Sequence, residues 1–158
     1  MGNSAFPTPE HDHRACLDNS ISRARAAFRD SGERFTKLRE AVFHTLAECH
    51  EALGAYDIIE RLRAKGRAVA PISIYRVLDV LLAAGLVHRV ESRNAYVACH
   101  GSHECGSSVL FMVCEQCGVV AEASDGPLAR ALQEVAGGAG FTASGAVLEM
   151  SGLCRHCR

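Results

Sequence analysis

Two Cys-x-x-Cys pairs stand in the second half of the chain, Cys114 with Cys117 and Cys154 with Cys157. A two-residue spacer lets one turn present two thiolates to one ion, so two such pairs can close a tetrahedral four-thiolate site on zinc. Gly118, directly after the first pair, lets the chain turn so that backbone N–H groups point at sulfur. The 36 residues between the pairs, 118–153, exceed the usual zinc-ribbon spacing. They hold a helical pattern and a strand pattern that can bring the ends together. A redox pair would open a helix in a thioredoxin-like βαβ unit, and that context is absent. Structural zinc on Cys114, Cys117, Cys154 and Cys157 is therefore the expectation.

Composition supports a folded, metal-binding chain. Eight cysteines and eight histidines in 158 residues are many. No basic-then-apolar leader is present, so a reducing, cytoplasmic setting is expected, in which spaced cysteines read as ligands before disulfides. With 48% hydrophobic and 22% charged residues, one ordinary domain or two small ones can form a core. No apolar run is long enough for a membrane span. The net charge is only −1, with residues 1–92 carrying 13 Lys+Arg against 12 Asp+Glu and residues 93–158 carrying 4 against 6. Arg61, Arg63, Lys65 and Arg67 cluster in the more basic half. Locally basic and globally neutral is compatible with a DNA-binding module.

Periodicity organises the chain. Residues 1–16 lack it and are expected to form a mobile arm. Four helical patterns follow. The first has Leu17, Ile21, Ala24 and Phe28 on one face and ends near Ser31-Gly32. The second is capped by Thr36 and buries Leu38, Ala41, Val42, Leu46 and Cys49. The third buries Ala55, Ile58, Ile59 and Leu62 and stops at Gly66. The fourth follows Pro71, with Ser73 as its cap, a stripe of Ile74, Val77, Leu78, Leu81 and Leu82, and Gly85 as its end. Two strand-like runs then flank Ser92-Arg93-Asn94, a β-hairpin pairing about Arg93. Helices followed by a hairpin predict a winged helix-turn-helix over 17–98, with the fourth helix as recognition helix and the hairpin as wing. Residues 99–108 read as a hinge loop. Residues 109–158 read as a small α/β unit with strands at Val109–Val113, Val119–Ala121 and Val147–Met150 and a helix from near Asp125. A unit of that size buries little core and needs a metal, a partner chain, or both. The fold class is α+β.

A second group of ligand types gathers around the hinge. His88 lies on the first hairpin strand and Cys99 just past the second, so pairing brings both to the open base of the hairpin. His100, His103 and Cys105 follow at once, and Glu122 leaves the strand after the first cysteine pair. A His/Cys/His/Glu set is a mixed N/S/O site that zinc accepts, and its thiolate argues against hard cations. Cys49 reads as a small core residue, His44, His50 and His156 as surface, and His11, His13 and Cys16 as an adventitious metal site at most.

The segments RFTKLREAVFHTL, AYDIIERLR, ISIYRVLDVLLAAGLVHRVES, YVACH, CEQCGVVAE and GLCRHC occur in the order seen in the ferric uptake regulator family. The chain resembles that family over roughly residues 17–157, and most closely its zinc uptake branch. The resemblance implies a homodimeric, metal-dependent repressor with a winged-helix DNA-binding domain, a hinge and an α/β dimerisation domain. It implies two zinc ions per subunit, the structural one on the four paired cysteines and a regulatory one on His88, Cys99 and Glu122. The fourth regulatory ligand departs from the branch, which often has histidine where this chain has Ser107. His103 is the best replacement, with Cys105 and His100 behind it.

On such a protein Tyr75 and Arg76 lie off the fourth helix's apolar stripe, near the end that enters the major groove. Arg76 suits a bidentate contact to guanine and Tyr75 a thymine methyl. Tyr56, Arg39 and Thr36 suit phosphate or flanking contacts. The expected partner is an A·T-rich inverted repeat of double-stranded DNA, without membrane or small-molecule substrate. The alternatives are a relative sensing iron, manganese, nickel or peroxide, and a zinc chaperone or storage module. A zinc hydrolase would need an open coordination position and a general base, and no such motif is present, so an enzyme is not expected.

Overall fold

Leu17, Ile21, Ala24 and Phe28 line the inner side of helix α1, His13–Asp30, in the computed structural model of the chain. The structure describes residues 6, 13–99, 108–123 and 126–158. Helix α1 begins inside the expected arm of 1–16, so residues 13–16 are helix instead. The last proline before it is Pro9, and nothing between that proline and Leu17 breaks a helix. The chain divides into two compact units, one of Thr8–His100 and one of Gly101–Arg158 together with Met1–Pro7.

In the first unit Thr36 caps α2, Lys37–Ala47, its hydroxyl oxygen accepting the Arg39 N–H at 3.3 Å. The helix stops at Ala47, so Cys49 packs half-buried against the core from the following turn and not from the helix itself. Helix α3, Ala55–Ala64, starts at Gly54, whose N–H donates to the Asp57 carboxylate at 2.9 Å. A Cβ at residue 54 would come within 3.1 Å of that carboxylate, so glycine suits the close approach.

Helix α4, Pro71–Ala83, is opened by its proline and not by Ser73, which becomes its third residue; the N-cap is Ala70. Proline needs no hydrogen-bond partner for its nitrogen in the first turn, and its fixed φ is already helical. Gly85, at φ 66°, ends α4. There Gly85 N–H reaches Leu82 O and Leu86 N–H reaches Leu81 O, both at 3.0 Å. This Schellman closure turns the chain straight into the wing.

The wing pairs β1, Val87–Val90, antiparallel with β2, Ala95–Ala98, across a short 3₁₀ turn at Glu91–Arg93 and a left-handed Asn94. Leu53 adds a two-way backbone bridge to Tyr96, each bond 2.8 Å. The core lies between the helices and the wing, with Phe28, Phe43, Leu46, Ile58, Leu62, Ile74, Leu78, Leu81 and Val87 fully buried. Truncating one such leucine to alanine costs about 2–5 kcal/mol, so these stripes fix how α3 and α4 sit as a helix-turn-helix.

The second unit is a three-stranded sheet in the order β4-β3-β5. Central β3, Val109–Cys114, runs antiparallel to β4, Val120–Ala123, and parallel to β5, Val147–Gly152. The parallel pairing needs a crossover, which α5, Gly126–Gly138, supplies. Val109, Phe111 and Val113 are buried, whereas α5 has no buried residue and Val135, Val147, Met150 and Leu153 are exposed. No helix among the described residues is long and apolar enough to cross a membrane.

Candidate metal centre and nucleic-acid face

The four paired cysteines converge because backbone bonds close the first turn and one more ties it to the segment that leads into the second. Cys114 N–H donates to Val119 O at 2.9 Å and Gly118 N–H returns to Cys114 O at 3.0 Å, closing the first turn. Gly118 takes φ 76°, the left-handed conformation that this tight return requires. Glu115 N–H donates to Gly152 O at 2.8 Å and so stitches that turn to the end of β5, two residues before Cys154. Cys154 N–H then points at Cys114 Sγ at 3.4 Å.

The four sulfurs lie within 4.8 Å of one another, and Cys117 Sγ stands 3.8 Å from Cys154 Sγ. Zinc–sulfur bonds of about 2.3 Å give a tetrahedron with edges of ~3.8 Å, whereas a disulfide needs ~2.05 Å. The donor set fits zinc by type and by spacing. Backbone N–H groups of Cys117 and Cys154 draw the Cys114 thiol down from 9.0 to about 6. The neighbouring Cys154 thiol, then burial, push Cys157 up to about 12. Alone, the thiols resist ionising together; a divalent cation removes that conflict, since a coordinating thiol is deprotonated outright.

The wing of the first unit carries the second ligand pair. The observed register sets His88 against Val97, not about Arg93 as the strand pattern predicts. Four residues, Glu91 to Asn94, form the loop, because Val90 pairs with Ala95. A one-residue change of register moves side chains to the opposite face. Pairing about Arg93 would set His88 and Cys99 on opposite faces; the actual register makes them diagonal neighbours on one. Their ligand atoms lie within 4.8 Å of each other. Cys99 is buried, its N–H donating to Leu86 O at 2.9 Å and its carbonyl accepting from Arg23 of α1.

Glu122 stands half-buried on β4 of the second unit, opposite Phe111. It does not leave the strand after the cysteine turn as expected, because β3 extends far enough to pair as far as Ala123. His103 lies outside the described residues, as do His11, His100 and Cys105. Cys16 is half-buried on α1, where burial pushes its thiol up.

Several of the residues expected to face nucleic acid are exposed. Tyr75 and Arg76 are exposed on α4, off its buried stripe, and Tyr56 is exposed at the start of α3. Thr36 and Arg39 already have structural work. Thr36 caps α2, and the Arg39 guanidinium lies 5.1 Å from the Phe28 ring, donates to Arg34 O at 2.7 Å and pairs with Glu33 at 3.1 Å. Of the basic cluster, Arg61 pairs with Glu51 and Lys65 with Glu48. Ile72, which the apolar stripe leaves out, is exposed beside Tyr75. Its signal in the sequence is an isoleucine placed two residues ahead of the stripe.

The fold is that of winged helix-turn-helix proteins with a second, smaller α/β unit, and the chain adds candidate metal ligands on the wing and a four-cysteine cluster in that second unit. The model of the ferric uptake regulator family matches residues 30–151. The zinc uptake regulation protein of Escherichia coli K12 is 34% identical over 124 residues, 78% of this chain and 72% of that protein. A solved zinc uptake regulator complexed with zinc and DNA superposes with a TM-score of 0.82 at 30% identity, covering 89% of this chain and 94% of that one. The crystal structure of holo XcZur gives a TM-score of 0.78 at 34% identity, over 89% of this chain and 97% of that one. The chain belongs to the ferric uptake regulator family, whose members are transcription regulators and not enzymes.

Proposed function

We propose that the chain is a zinc-responsive repressor of zinc uptake genes, acting as a zinc-loaded homodimer on an A·T-rich inverted repeat in the cytoplasm. One observation carries the reading: the unit that presents Tyr75 and Arg76 on an exposed helix also holds a His88–Cys99 pair on its wing. The named relatives and the solved zinc–DNA complex support it.

Two zinc ions per chain are proposed. Cys114, Cys117, Cys154 and Cys157 would hold one and complete the fold of the second unit. His88, Cys99, Glu122 and His103 would hold the other, with Cys105 or His100 as substitutes for His103. Bound there, zinc would supply a crosslink between ligands from the two ends of the linking segment 99–108. The remaining work belongs to the chain. Arg76 reads a guanine edge, Tyr75 packs on a thymine methyl, and Tyr56, Arg39 and Thr36 set the register on phosphate or flanking bases. The exposed apolar residues of α5 and β5, among them Val135 and Met150, support a second copy as partner. Metal can alter DNA affinity only through its preference for the DNA-competent arrangement, and a coupling of about 1–3 kcal/mol gives ~5–150-fold.

A mobility-shift titration at fixed salt tests the proposal, with an A·T-rich inverted repeat from a zinc uptake promoter and buffered free zinc, iron or manganese. Tight binding should emerge only as zinc rises through trace concentrations. Equal binding without added metal, or best binding with iron, would contradict the regulatory assignment.

A further inference from the structure

The buried stripe of α4 is Ile74, Val77, Leu78 and Leu81. Ile72 lies outside it, in the first turn, with 60% of its surface exposed. It precedes Tyr75 by three residues and Arg76 by four, the spacing that puts side chains on one helix face. Tyr75 is 40% exposed and Arg76 is exposed too. The first turn of α4 holds no acidic residue, and exposed Arg67 precedes it. A single exposed aliphatic side chain needs no explanation by itself. An isoleucine flanked by an aromatic and a guanidinium, on the leading end of a helix-turn-helix's second helix, has a specific chemical complement.

We propose that Ile72 is a base-reading residue whose side chain packs on the C5-methyl group of a thymine in the major groove. This rests on the DNA-binding reading above. The thymine methyl is the apolar group that base pairs present on that edge, whereas cytosine offers a polar amine. A branched aliphatic side chain therefore selects thymine without any hydrogen bond. It stands a helical turn nearer the N-terminus than Arg76 and reads a position adjacent to the one Arg76 contacts.

The test uses the full-length, zinc-loaded protein and a duplex that it selects from a randomised pool. Each thymine is then replaced by deoxyuridine in both half-sites, which deletes only the methyl group. A position other than the one whose response is lost in Tyr75→Ala should lose about 4-fold in affinity per half-site, the equivalent of ~0.8 kcal/mol for one buried carbon. Ile72→Ala should bind more weakly by at least as much and should no longer respond to deoxyuridine at that position, while Ile72→Val retains the response. Unchanged affinity in Ile72→Ala, or a weaker variant with the wild-type deoxyuridine profile, would overturn the assignment. Failure of the wild-type protein to select any duplex with zinc would instead overturn the DNA-binding reading beneath it.

Discussion

Cys114, Cys117, Cys154 and Cys157 are four candidate ligands of one kind, supplied by two turns of one unit that a backbone bond from Glu115 to Gly152 joins. His88 and Cys99 are two candidate ligands of different kinds at one hairpin of the other unit, set on one face by strand register, with Cys99 also held through its backbone by Leu86 and Arg23. A closed thiolate set with every position filled suits a site that holds a fold together. A pair that leaves coordination positions for groups from elsewhere in the chain suits a site whose occupancy reports the surroundings. The two units differ in the same sense. The first buries Phe28, Phe43, Leu46 and Leu78 in its own core, whereas the second leaves α5 without a buried residue. The unit with the weaker core is the one that carries the closed site.

The largest effect should follow a break in the closed set. Structural zinc binds with an apparent ~10–16 kcal/mol in small zinc domains. Cys154→Ser should therefore unfold the second unit and spare the first. Hydrogen exchange would show protection lost over 109–123 and 147–152 but kept in α3 and α4; uniform loss would refute the division of labour. Cys99→Ser and Glu122→Ala should leave thermal unfolding near wild type and lower zinc-dependent DNA affinity by about 5- to 150-fold. Equal losses of folding and binding would make this set structural as well.

Arg76→Ala should weaken binding by about 1–3 kcal/mol for each guanine the protein no longer reads, and leave its zinc content unchanged, as measured by metal analysis. A fall in zinc content would tie α4 to the metal sites directly. The smallest effect is expected for Thr36→Ala. Loss of the α2 cap costs about 1 kcal/mol of stability. A denaturant titration beside a binding curve would separate a capping role from a DNA-binding one, because only the latter lowers affinity at temperatures far below unfolding.

Most of the helical framework is legible in the sequence. The stripe of α3, most of that of α4 and the stop at Gly85 recur as buried faces and a left-handed turn, because helical period and glycine chemistry are local. In α2 only Val42 and Leu46 of the expected stripe are buried, beside Phe43, Thr45 and Ala47, while Leu38, Ala41 and Cys49 stay half-buried. Each cysteine pair is legible for the same reason, since it is set by its own turn, whereas their convergence into one cluster depends on β5 pairing with β3. The face shared by His88 and Cys99 is not legible, because it depends on whether the wing's loop holds an odd or even number of residues. Runs of strand-forming residues do not encode that parity; the left-handed Asn94 settles it. Ser73 misleads because proline at Pro71 starts the helix earlier than a serine cap would. Arg39 resembles a free cation in the sequence, and its engagement with Phe28 and Glu33 depends on where α1 packs. Ile72 escapes a pattern-based reading because the stripe defines the inside of α4 and says nothing of which outward residue has a partner.

The most direct test of the two-site account is one titration with two readouts. Metal-free protein would be equilibrated across a series of chelator-buffered zinc concentrations, and each sample split for bound zinc per chain and for affinity to the selected duplex. The account predicts two uptake steps per chain, a tighter one without effect on DNA affinity and a weaker one that tracks its rise. Affinity that rises with the first step, or a single step accompanied by full DNA binding, would contradict it.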